Sequence, residues 1–284
     1  MTTLLNKLSK SALIITICFI VAGCEKAAFG DNVGNNETNK TDSQKAKITF
    51  VSVYTNDKLY LNETGEGRNE ITPISDVCTK LSIALFDAKT GKKVKLINQD
   101  KDDCTLGQAS FEIDKGCYDF VIIAHNGNGH ATISSPSKIT FKDNKLTETF
   151  SNYYQIDVTK DTKFKVRLNR SVAKLRLTIV EPTPQNVHNL KFYYTGGSST
   201  LSAVTGSGCV KSRQTEMREV PEDAYTSASS YEIYTFPRVG NNKLTVTVSA
   251  LELATSTNSI KESTIKDIRI SENNISNLEC SLYD

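Results

Sequence analysis

Apolar residues recur at every second position along most of this chain, and no stretch of twelve residues carries them at the 3.6-residue period of a helix. The alternation is clearest at Leu81, Ile83 and Leu85; at Tyr118, Phe120, Ile122 and Ala124; at Phe164, Val166 and Leu168; at Ala173, Leu175, Leu177 and Ile179; and at Leu244, Val246, Val248 and Ala250. Polar or small residues stand between them, as in a sheet that buries one face. Turn residues separate the runs: Asp87 to Gly91, Asn126 to Gly129, Gly196-Gly197 and Gly240 to Asn242. The pattern predicts an all-β chain of short strands.

In "TKFKVRLNRSVAKLRLTIV" the apolar positions are even-numbered up to Leu168 and odd-numbered from Ala173. A shift of one residue turns every side chain to the other face, so the chain either bulges at Asn169 to Val172 or passes there from one core to another. The second option gives two β-sandwiches of ordinary size, residues 47–168 and 169–284.

Residues 1–23 have the layout of an export signal: Lys7 and Lys10, an uncharged run from Ser11, and small residues at its end. That run is too short for a helix that crosses a bilayer. Val21-Ala22-Gly23-Cys24 resembles the lipobox of bacterial lipoproteins at every position, which makes Cys24 the expected acylated first residue of the mature chain. Residues 24–46, the lipidated cysteine and a stretch rich in Asn, Gly, Thr and charge, read as a flexible tether.

The net charge of +2 argues against a nucleic-acid binder, which needs a strong basic excess. The clusters at Lys92-Lys93 and from Lys163 to Arg176 alternate with apolar residues and read as solvated strand faces. Enzyme chemistry finds little support. There is no Gly-x-Ser-x-Gly elbow or His-Glu-x-x-His, and "TGGSST" near residue 195 lacks the lysine and helix of a phosphate loop. His125 and His130, in "AHNGNGH", are two ligands without a nearby carboxylate, a poor metal site. No metal or cofactor is expected.

Seven cysteines are present; Cys18 leaves with the signal and Cys24 is taken by lipid. Cys78, Cys104, Cys117, Cys209 and Cys280 remain, an odd number that leaves at least one unpaired or bonded between molecules. One disulfide is possible among the first three, with Cys104 and Cys117 spanning a hairpin; buried free thiols are the alternative. A glycan-binding surface would use flat aromatic rings, and the chain has no Trp. Tyr153-Tyr154 and Tyr193-Tyr194 could serve, but neighbours on a strand point to opposite faces, so one of each pair is expected in the core.

Five strings carry a family resemblance: "ISDVCTKLSIALFDAKTGKKV", "GQASFEIDKGCYDFVIIAHNGNGHATIS", "VRLNRSVAKLRLTI", "LKFYYTGGSSTLSAVTGSGCV" and "YEIYTFPRVGNNKLTVTVSAL". Together, in this order and with the lipobox, they resemble the fimbrillin-A-associated anchor family of Bacteroidales fimbriae. The resemblance implies two tandem transthyretin-like β-sandwich domains, a lipid anchor in the outer membrane, and attachment of a filament through a fimbrial shaft subunit. Related shaft subunits lose their first strand to an Arg- or Lys-specific protease, and the groove then accepts a neighbour's strand. Here "KITFVSVY", Lys47 to Tyr54, would be the first strand, and Arg68 in the polar loop "NETGEGRNE" either a processing site or one more surface arginine. The alternatives are a tip or accessory subunit, and a cell-surface glycan-binding lipoprotein.

Overall fold

A computed structural model describes residues 44–55 and 71–284. The expected leader, Cys24 and Arg68 lie outside these residues. No helix among them is long and apolar enough to cross a membrane.

Among the described residues ten strands form the first half: β1 (Lys45–Thr55), β2 (Thr72–Pro73), β3 (Lys80–Asp87), β4 (Lys93–Asp100), β5 (Ala109–Asp114), β6 (Gly116–His125), β7 (Thr132–Ser135), β8 (Lys138–Thr140), β9 (Thr149–Val158) and β10 (Thr162–Arg170). β4, β3, β6 and β9 make one antiparallel sheet in that order. Facing it, β1 pairs with β5 and β2 antiparallel on one side and with β10 parallel on the other. The layers meet at one corner, where Asn169 and Arg170 of β10 pair with Ser151 and Phe150 of β9. Ile48, Phe50, Leu81, Ile83, Leu85, Phe120, Ile122, Phe150, Val166 and Leu168 fill the space between.

Seven strands follow: β11 (Ala173–Ile179), β12 (Asn189–Thr195), β13 (Arg213–Glu219), β14 (Ser229–Thr235), β15 (Lys243–Leu251), β16 (Lys261–Arg269) and β17 (Ile275–Cys280). The sheet β14-β11-β17, in which β17 runs parallel to β11, packs on the antiparallel sheet β13-β12-β15-β16. Leu175, Leu177, Ile179, Leu190, Phe192, Tyr194, Val246 and Val248 form their core. The fold is all-β, with sheets stacked as sandwiches. The change of parity after Leu168 falls where the chain leaves the layer of β10, buries Ser171 and Val172, and enters β11.

One expectation needs correction. β3 and β6 bury both faces: Ala84, Phe86, Val121 and Ile123, between the alternating residues, are at most 1% exposed. They form a third core with Ile133 of β7, Ile139 of β8, Phe141 and Leu146, and with Val172, Leu201, Ala203 and Phe236 from the second half. "FVIIA" is a continuous apolar run of the kind that two-sided burial requires.

The glycine-rich stretch from Gly196 supplies the other wall of this core. Leu201 and Ile139 exchange both backbone hydrogen bonds at 2.9 Å, and the Ala203 N–H donates to the Pro136 carbonyl at 2.9 Å. The approach leaves no room for a side chain: a Cβ on Gly197 would lie 1.9 Å from Thr235 Oγ1. "TGGSST" is therefore a close-packed bracket between the halves.

Candidate assembly surface

β1 is the element around which assembly could turn, because it alone joins β5 and β2 to β10. Ala46, Ile48, Phe50, Val53 and Thr55 point inward and are 0–3% exposed; Lys45, Lys47, Thr49, Ser52 and Tyr54 point out. The inward set changes from even to odd because Val51 bulges between Phe50 and Ser52, which keeps β1 in phase with the straight β10. Phe50 anchors the strand, its ring centroid 5.8 Å from Phe164, 5.9 Å from Phe120 and 6.1 Å from Phe111. At about 1.5–3 kcal/mol per buried large side chain, Ile48, Phe50 and Val53 hold β1 by on the order of 6 kcal/mol. Polar contacts set the register: the Lys47 N–H donates to Asp161 Oδ1 at 2.8 Å, and Thr49 Oγ1 lies 3.1 Å from Ser110 Oγ. Without β1, β5 and β10 would stand two strand spacings apart, roughly 10 Å, with unpaired backbone on both walls and apolar pockets on the floor.

The cysteines do not assemble a site. All five in the described residues are free thiols, Cys78 and Cys280 buried, Cys104, Cys117 and Cys209 exposed. The hairpin expected between Cys104 and Cys117 does not form, because β5 pairs with β1 in one layer and β6 lies between β3 and β9 in the other. β5, roughly 20 Å long, separates the two cysteines, and disulfides need Cα atoms within about 7 Å. The Cys117 thiol instead donates to Asp157 Oδ1 at 3.5 Å, a contact that raises its pKa. Burial raises that of Cys78 much further.

His125 and His130 do come near each other at the end of β6, but in the wrong state for a metal. The Gly127 N–H donates to His125 Nδ1 at 3.0 Å, which places the ring proton on Nε2 and leaves that nitrogen a donor. The ring is 2% exposed, packs edge-on to Phe141 at 5.1 Å, and has its pKa pushed down to about 4, first by burial and then by His130 and Lys80. His130 Nε2 lies 3.2 Å from Asp100 Oδ2, beside the Lys80–Asp100 ion pair. Among the described residues no three His, Cys, Asp or Glu gather to hold a metal.

The tyrosine pairs differ. Tyr194 is buried and Tyr193 is 38% exposed. Tyr153 and Tyr154, by contrast, are both half-buried, because β9 divides two cores: Tyr153 packs against the third core and Tyr154 against the first.

The basic stretch around Arg170 is only partly solvated. Lys163, Lys165 and Arg167 are exposed on β10, but Arg170 and Lys174 are 6% and 8% exposed. Arg170 pairs with Glu148, donates to Asn273 Oδ1 and lies 4.8 Å above the Phe150 ring. Lys174 and Arg176 share Glu232 at 3.2 and 2.9 Å. Sequence reasoning missed this network because its carboxylates lie 22 and 56–58 residues from their cations.

Comparison with known proteins decides the family. The model of the fimbrillin-A associated anchor proteins Mfa1 and Mfa2 matches residues 37–274. The chain belongs to this family. No curated protein matches it significantly by sequence. Among solved structures, a candidate adhesin of Bacteroides ovatus aligns over 84% of this chain and 88% of its own, with 11% identity and a TM-score of 0.51. A second candidate adhesin of Bacteroides ovatus aligns over 80% of both chains, with 8% identity and a TM-score of 0.51. The fimbrial anchor protein Mfa2 of Porphyromonas gingivalis aligns over 72% of this chain and 78% of its own, with 10% identity and a TM-score of 0.42. The first two likenesses bear on the fold; membership of the family assigns the chain to the subunits of fimbriae.

Proposed function

We propose that this chain is the lipid-anchored base of a fimbrium, held in the outer membrane through Cys24 and joined to a shaft subunit by β-strand exchange. Its work is done by protein contacts instead of catalysis. The observation that carries the reading is β1: a single strand that completes the first core and is bounded on both sides by strands that do not pair with each other. Such a place suits strand addition, where backbone hydrogen bonds give affinity and alternate side chains in pockets give register. Family membership and the lipobox at Val21 to Cys24 support the remainder. In an anchor Arg68 remains uncut, so β1 stays joined to the chain and gives up its place to the shaft subunit's strand only on assembly.

Mass spectrometry of the protein extracted from membranes tests this reading. An acylated Cys24 as the first residue is the expected result; a chain beginning at Asn69 would have lost β1 and would belong to the shaft or tip.

A further inference from the structure

Lys7 and Lys10 fall in the expected leader, which leaves 32 basic residues against the 32 acidic ones of the chain, so any charged face is a local arrangement. Lys163, Lys165 and Arg167 make one. They are successive outward residues of β10, all exposed, and none has an ion pair among the described residues. Outward residues of a strand stand roughly 7 Å apart, so the three cations line about 13 Å of a flat surface.

Their register partners on β1 are Thr49, Ser52 and Tyr54, which add hydroxyl groups at the same height. Among the described residues of β1 and β10, Val51 at the bulge is the one exposed large apolar side chain, at 39%. Glu112 and Asp114 stand to one side on β5, opposite Lys47 and Lys45, while Asp161, two residues before Lys163 at the head of β10, is taken up by the Lys47 N–H. The β10 side therefore carries the positive charge, and it is shaped to lie on a polar anionic surface.

We propose that this face seats against the anionic phosphate headgroups of the membrane that holds the chain, which orients the first sandwich at the base of the filament. The inference rests on the lipid-anchor reading. β1 continues directly from Gln44, twenty residues after Cys24. At full extension those residues span at most roughly 70 Å, so a chain acylated at Cys24 keeps the face close to lipid, where weak attraction by a few cations is enough.

The test uses the chain acylated at Cys24, allowed to partition between phosphatidylcholine vesicles and phosphatidylcholine vesicles that contain phosphatidylglycerol. A preference for the anionic vesicles, weakened by salt, is expected. Lys163→Gln, Lys165→Gln and Arg167→Gln together lower it about 100-fold, about fivefold for each cation. Lys89→Gln, Lys92→Gln and Lys138→Gln together, removing three exposed charges elsewhere, leave it nearly unchanged. Equal loss in both variants, or equal partition between the two kinds of vesicle, overturns the proposal, and thermal unfolding confirms that each variant is folded. The mass at native Cys24 is a separate measurement, so failure of the anchor and failure of the face are told apart.

Discussion

Phe50 and His125 show how far single residues set the behaviour of this fold. Phe50 is 2% exposed and touches three other rings, so Phe50→Ala is expected to destabilise the chain by about 3–5 kcal/mol in denaturant unfolding. Its place was legible in the alternation of "KITF"; the bulge one residue later could be read from the parity of Ile48 and Phe50 against Val53. His125 carries a pH dependence. Its pKa falls from 6.5 to about 4 on folding, so the unfolded chain binds the proton more tightly. This contribution to stability is complete above pH 6.5 and is lost as the pH falls toward 4, by about 3 kcal/mol at 1.36 kcal/mol per unit. Unfolding curves across that window should be flatter for His125→Gln. A slope equal to that of the unaltered chain would contradict the assignment. The sequence placed His125 at a strand end but not in a core, because Phe141, which covers it, arrives from a later loop.

At the scale of the element, the account depends on β1 being separable. A chain cut after Arg68 and freed of β1 should have a lower melting temperature, restored by a peptide of residues 45–55. A peptide from which both Val51 and Ser52 are deleted joins Phe50 directly to Val53 and throws Val53 and Thr55 onto the outer face, so it should restore much less. Equal rescue by both would show that backbone pairing, not side-chain register, governs the groove. The strands themselves were legible because alternation and β-branched composition are local properties. Their partners were not: the parallel pairing of β1 with β10 joins residues more than a hundred positions apart, and β5 crosses to the other layer instead of closing a hairpin onto β6.

At the scale of the molecule, the two cores are tied by the bracket at Leu201 and by Arg170, which donates to Asn273 Oδ1. Leu201 is fully buried in the third core, which draws on both halves. The unaltered chain should unfold in one calorimetric transition, and Leu201→Asp, which places a charge in that core, should split it in two. A single transition in the variant would mean that the bracket does not couple the halves. This core was the least legible part of the chain, since the Ser- and Gly-rich stretch from Gly196 to Gly208 has the composition of a loop. Its burial follows only from the close approach of Gly197 to Thr235 and of Leu201 to Ile139.

Position on the cell tests the central claim most directly. Immunogold electron microscopy of intact cells, with an antibody against the second sandwich, should place gold at filament bases. Gold along shafts, at tips or over filament-free surface would contradict the anchor.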